Sequence, residues 1–185
     1  MDLLILECIP RYDNVREGEI LADFLTLPDD YDDITVKLKE FTFKRDFLKY
    51  LKRNSNFEDY DFIHLSGHGV VEDKETAFFE LPQGKVQPYE FPDDCFSNIN
   101  VAVSACELGK VSFVDKFIEQ TSPLSVLGPQ REVPFRHACM FWMNYYSLVL
   151  HDEVTPQIAY DKTVDFLQGR ISGAFKFHET ELLSE

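Results

Sequence analysis

Short apolar runs recur along the chain: LLIL at Leu3–Leu6, FIHL at Phe62–Leu65, INVAV at Ile99–Val103 and LSVLG at Leu124–Gly128. Each is bounded by polar or turn residues, and runs of this length suit strands buried on both faces, as in a parallel sheet. One further segment alternates, with Ile34, Val36 and Leu38 set against Thr35, Lys37 and Lys39. That alternation predicts a half-exposed strand at a sheet edge. Between these runs the apolar spacing turns helical. Ile20, Leu21, Phe24 and Leu25 share one helical face, and Asn14 three residues before Glu17 resembles a capping box. Phe47, Leu48 and Leu51 mark a second helix, and Val114, Phe117 and Ile118 a third, with Ser112 as its expected N-cap. A fourth helix, from about Pro134 to Leu150, is apolar nearly all round and should be well buried. Thr155 followed by Pro156 predicts the start of a fifth.

Strands alternating with helices require crossover connections. The pattern therefore predicts an α/β fold: three layers, α/β/α, with a mostly parallel central sheet flanked by helices. At 185 residues one domain spanning 1–185 is expected. The segment Pro82–Asn98 is the longest irregular stretch, and FPDDCFSN within it predicts a turn or short helix. The acidic run LPDDYDDI, Leu27–Ile34, reads as a solvated loop.

Composition narrows the function classes. Hydrophobic residues at 44% and charged residues at 28% fit a soluble globular protein, and 17 phenylalanines predict an aromatic core. The net charge of −15 disfavours nucleic acid and anionic membranes as partners and favours a basic substrate or protein. The start, MDLLILECIP, lacks the basic region of a signal peptide, and the longest apolar stretch, Ala138–Leu150, is too short to span a bilayer. Cys8, Cys95, Cys106 and Cys139 are widely spaced with no CxxC, which predicts free thiols and a cytoplasmic location.

Ligands on such sheets bind outside the carboxyl ends of the strands. FIHLSGHGV, Phe62–Val70, and NVAVSACELG, Asn100–Gly109, put His68 and Cys106 just past two predicted central strands. A cysteine attacks as its thiolate, an imidazole can take the proton and return it to a leaving group, and nearby backbone N–H groups can hold an oxyanion. Glycines beside His68 allow close backbone approach, small Ser104 and Ala105 let the strand end sit tightly, and Gly109 permits a sharp exit.

HLSGHG followed by VAVSACELG resembles the paired motifs of caspase-like cysteine proteases, and most closely those of the CHAT family. SVLGPQREVPFRHACMFWMNYYSLVL and VTPQIAYDKTVDFL follow in the family's order, so the similarity covers roughly Asp61–Leu167. The resemblance implies a caspase-like fold and a cysteine endopeptidase that cleaves a specific protein partner. It implies Cys106 as nucleophile, His68 as general base and acid, and the N–H groups of Gly69 and Cys106 as oxyanion hole, in a dyad that needs no carboxylate. Glu107 would shape the exit loop without a catalytic duty. No cofactor or metal is implied. A separate regulatory or sensor protein would supply control, with low basal activity in its absence.

Two other classes stand beside this one. The short segment ELGKVSFVDKF after Cys106 and the reduced tail GAFKFHETELLSE would suit a catalytically silent caspase-like module that binds a partner. A metal-dependent hydrolase would need His64, His68 and Cys106 on one ion. On a strand, however, residues four apart lie about 13 Å from each other. His64 reads as a packed strand residue. His137 and His151 mark the ends of the long helix, and His178 falls in a polar tail. Cys8 and Cys139 read as core residues. Cys95 lies among acidic neighbours that should raise its thiol pKa and blunt it as a nucleophile.

Overall fold

The computed structural model describes residues 1–27, 34–53, 57–73, 76–152, 154–169, 171 and 173–180. Most of the acidic run expected to be a solvated loop, 28–33, lies outside the described residues.

Six strands form the central sheet. They are β1 (Asp2–Glu7), β2 (Thr35–Glu40), β3 (Phe62–Ser66), β7 (Asn100–Ser104), β8 (Ser125–Pro129) and β9 (Phe175–Glu179), in the spatial order β2-β1-β3-β7-β8-β9. All neighbours run parallel except β9, which is antiparallel to β8. The five predicted strands are all present, and the alternating one, β2, is at the edge. A second small sheet was not anticipated. It holds β4 (His68–Val71), β5 (Ala77–Leu81) and β6 (Gly84–Val86), joined antiparallel.

Five helices flank the sheet among the described residues: α1 (Glu17–Leu25), α2 (Lys44–Arg53), α3 (Val111–Thr121), α4 (Phe135–Tyr146) and α5 (Pro156–Phe166). The period-two alternation of each strand divides the core in two. Leu4 and Leu6 of β1, Ile63 and Leu65 of β3 and Val101 and Val103 of β7 face Phe47 and Leu51 of α2 and Phe113 and Phe117 of α3. Leu3, Ile5, Phe62 and Ala102 face the other way, against Leu21 of α1 and Phe141, Trp142 and Tyr146 of α4. A sheet buried on both faces by helices is the three-layer α/β/α arrangement the apolar runs predicted.

The helix ends differ from expectation in three places. Asn14 does not cap α1; it adopts a left-handed conformation, φ 51°, after a 3₁₀ turn at Arg11–Asp13, and Arg16 precedes the helix without a side-chain cap. Ser112 lies inside α3, and the capping position is Lys110. The long apolar helix keeps α-geometry only to Tyr146, then widens into a π-helical turn at Ser147–His151. Thr155 caps α5 as predicted, accepting the Ile158 N–H at 3.4 Å. FPDDCFSN is a series of turns.

From β1 the chain goes to β2 on one side and then crosses to β3 on the other, so the strand order reverses between β1 and β3. Such a switch point opens a crevice at the carboxyl ends of the strands. No helix among the described residues is long and apolar enough to cross a membrane.

Candidate functional site

β3 and β7 run side by side in register, with Ser66 opposite Ser104. They therefore end at the same height, and the next residues, Gly67 and Ala105, leave the sheet together; the Gly67 N–H still donates to the Ser104 carbonyl at 3.1 Å. One residue further on, His68 and Cys106 line a common cleft of about 240 Å³. Its walls come from the segment after β1 (Ile9, Val15), the start of α1 (Glu17), the last residue of β8 (Pro129) and the segment that follows it (Val133). Four strand ends thus contribute to one opening at the switch point.

The glycines have distinct duties. A Cβ on Gly69 would lie 1.8 Å from the Cys106 carbonyl oxygen, so these two backbones touch. A Cβ on Gly67 would meet the Phe79 ring at 2.7 Å. Gly109 was expected to allow the sharp exit after the cysteine, but the left-handed turn falls at Glu107, φ 65°. Gly109 is needed for closeness instead: a Cβ there would lie 2.2 Å from the Gly128 carbonyl oxygen, and its N–H donates to the Pro129 carbonyl at 2.7 Å. Glu107 pairs with Lys110, one turn on, which holds the exit loop.

His68 is exposed and Cys106 half-buried. They are not hydrogen-bonded to each other. The His68 Nε2 meets Asp13 Oδ2 at 2.7 Å, and the Cys106 Sγ faces the Val133 carbonyl at 4.0 Å. Asp13 belongs to the 3₁₀ turn after β1.

The other thiols are unlike Cys106. Cys8 and Cys95 are fully buried and Cys139 nearly so, and all four cysteines are free. Burial pushes the Cys8 thiol well up, and pushes those of Cys95 and Cys139 up to about 12. For Cys95 the acidic neighbours Asp94 and Asp93 add to the rise, but burial is the larger cause, so the loop is less open than its polar sequence suggested.

Beneath the strand tips lies a buried polar group that the sequence did not disclose. Glu17 is 2% exposed. Its Oε1 accepts the Ser104 hydroxyl at 2.8 Å and its Oε2 the Ser66 hydroxyl at 2.6 Å. The Trp142 indole N–H donates to the Ser104 Oγ at 2.7 Å. His64, fully buried as expected of a packed strand residue, meets the Tyr146 hydroxyl through Nδ1 at 2.9 Å and turns Nε2 toward Glu17 Oε2 at 3.7 Å. Ser104 is therefore more than a small residue that lets strands sit close. The signal that could have found Glu17 was its place at the start of a helix leaving the first strand, where a carboxylate favours the helix N-terminus. The polar pairing of Asn14 and Glu17 instead suggested a cap.

The remaining histidines are apart from the cleft. His178 is not in a free tail. It is a β9 residue opposite Val126, and its Nε2 meets the Gly109 carbonyl at 3.0 Å. Burial lowers its pKa. No cluster of three or more His, Cys, Asp or Glu suited to a metal ion is found among the described residues. No protein-family model matches the chain, and no curated protein does either.

Proposed function

We propose that the protein is a caspase-like cysteine endopeptidase of the CHAT type, with Cys106 as nucleophile and His68 as general base and acid. One observation carries this reading: an imidazole and the chain's one partly exposed thiol emerge from adjacent, in-register strand tips onto a single cleft. In the reaction His68 takes the Cys106 thiol proton and the thiolate attacks the scissile carbonyl carbon. The C–N bond then breaks, His68 returns the proton to the leaving amine, and a thioester remains. Water hydrolyses the thioester, giving its proton through His68 to the departing thiolate. The backbone N–H groups of Gly69 and Cys106 are assigned to the oxyanion on the family resemblance, and the Gly69 backbone packs directly against the Cys106 carbonyl. Substrate binding must turn the imidazole and thiol toward one another, since catalytic contacts are often long in a free enzyme. A partner protein is proposed as the source of regulation.

A second reading has its own support. His68 is held by Asp13 and Cys106 faces Val133, so the pair is not engaged. A caspase-like module without activity, serving as a protein-interaction domain, would tolerate that state permanently.

The two readings separate by thiol labelling and peptide digestion. With iodoacetamide, mass spectrometry should find Cys106 modified well before Cys139, Cys95 and Cys8, and more slowly once His68→Ala is introduced. A peptide library should be cleaved by the wild type and left intact by Cys106→Ala. Slow labelling unaffected by His68→Ala, with no cleavage, supports the silent module. Cleavage that survives Cys106→Ala rules the mechanism out.

A further inference from the structure

A second cavity, of about 250 Å³, opens where β1 and β2 end. It shares only Ile9 with the Cys106 cleft, and neither His68 nor Cys106 lines it. Glu7 and Glu40, the last residues of their strands, both line it and lie side by side in register. Parallel neighbours in register project to the same face of a sheet, and like charges placed so repel. Glu7 is 1% exposed; its Oε1 accepts the Gly18 N–H at 2.9 Å, and its Oε2 has no hydrogen-bond partner among the described residues. A buried carboxylate oxygen without a donor is costly, and a donor supplied by a ligand removes that cost. Arg16, half-buried at the N-cap of α1, lines the same cavity. It makes no ion pair within 4.0 Å among the described residues. Ile9, Pro10, Phe41 and Pro82 give the rest of the wall an apolar character.

We infer that this cavity binds a small zwitterion, a free α-amino acid with an apolar side chain. Its ammonium group donates to the Glu7 Oε2 and separates Glu7 from Glu40, its carboxylate meets the Arg16 guanidinium, and its side chain packs on Phe41 and Pro82. Both charges of the ligand are needed. A simple amine would satisfy the two carboxyl groups and leave Arg16 facing a second cation. A simple carboxylate would pair with Arg16 and leave the Glu7 oxygen without a donor. The size agrees as well. A cavity of about 150 Å³ accepts benzene, of about six heavy atoms, so about 250 Å³ accepts about ten, which admits leucine. The site is independent of the protease reading, because none of its residues has a part in that chemistry.

Isothermal titration calorimetry on the full chain tests this with three probes of one shape: L-leucine, isoamylamine, which lacks the carboxylate, and 4-methylpentanoate, which lacks the ammonium. Leucine should bind saturably with a Kd below about 1 mM. Each of the other two should bind about tenfold or more weakly, because a polar site left half-paired rejects the analogue that lacks its partner. Glycine, without the apolar side chain, should also bind more weakly than leucine. Glu7→Gln and Arg16→Gln should each weaken leucine about tenfold or more. Glu7→Gln should lower the preference of leucine over 4-methylpentanoate, and Arg16→Gln its preference over isoamylamine; a merely structural role for either residue would weaken all the probes alike. Absence of saturable leucine binding overturns the inference. So does isoamylamine or 4-methylpentanoate binding as tightly as leucine, or leucine affinity that survives Glu7→Gln. Loss of leucine binding in Cys106→Ala would place the ligand in the other cleft and overturn it too. If a variant does not fold, the wild-type ratios among the probes decide alone.

Discussion

Gly69 shows how little freedom the site's backbone has. A methyl group there would lie 1.8 Å from the Cys106 carbonyl oxygen, a backbone atom that cannot rotate away. Gly69→Ala should therefore cost about 2 kcal/mol or more, read from urea denaturation, and should slow labelling of Cys106. An unchanged midpoint would mean that the strand tips are looser than described. Glu7, 1% exposed at the end of β1, poses a different problem. Its Oε1 accepts the Gly18 N–H at 2.9 Å, while its Oε2 has no hydrogen-bond partner among the described residues. Burial raises its pKa above the ordinary 4.5, outweighing the Gly18 bond and the Arg16 charge that lower it. A carboxyl raised on folding favours the native state below its unfolded pKa, and that contribution is lost as pH rises through the native value. Glu7→Gln should thus raise the melting temperature near neutral pH and change it little near pH 4. A benefit confined to acid would contradict the assignment. His68 and Cys106 were legible from glycines and small residues beside apolar runs, which are local features. Asp13 and Glu17 were not, because their partners lie 55, 49 and 87 positions away and only the assembled sheet brings them together.

Among the elements, the buried carboxylate of α1 acts as a strap across β3, β7 and α4. Ser104 both donates to Glu17 and accepts from Trp142, whereas Ser66 only donates to Glu17. Ser104→Ala strands two buried polar groups and Ser66→Ala one fewer. Each orphaned group costs about 1–3 kcal/mol, so Ser104→Ala should be the more destabilising in urea. The reverse order would locate the strap elsewhere. The central strands were legible because burial on both faces leaves an unbroken apolar run. The small sheet was hidden: His68–Val71 contains a glycine, and Gly84–Val86 has three residues, too few to show a period. β9 had a readable signal in FKFHE, whose Phe175 and Phe177 alternate with Lys176 and His178. Its place at the acidic chain end hid that pattern, yet Phe175 stacks on Phe141 with ring centroids 3.7 Å apart and closes the far edge of the sheet.

At the scale of the whole molecule, 33 acidic side chains against 18 basic ones set two opposite responses to salt. Self-repulsion of a net charge of −15 works against the compact state, and ionic screening, with a Debye length of about 10 Å at 0.1 M, relieves it. Melting temperature should rise by a few degrees as NaCl goes from about 20 mM to about 300 mM. On the proposed protease reading, capture of a basic peptide would use the same field in the other direction. Asp13 and Glu80 line the groove that adjoins the cleft at His68, so screening should reduce kcat/KM for an Arg-containing peptide severalfold, through KM. A matched citrulline peptide, lacking the charge, should respond much less. Destabilisation by salt could lower both rates together. Rising stability alongside a falling rate for the charged peptide alone therefore separates steering by the acidic rim from loss of the fold, and equal loss for both peptides would remove any role for that rim in substrate capture.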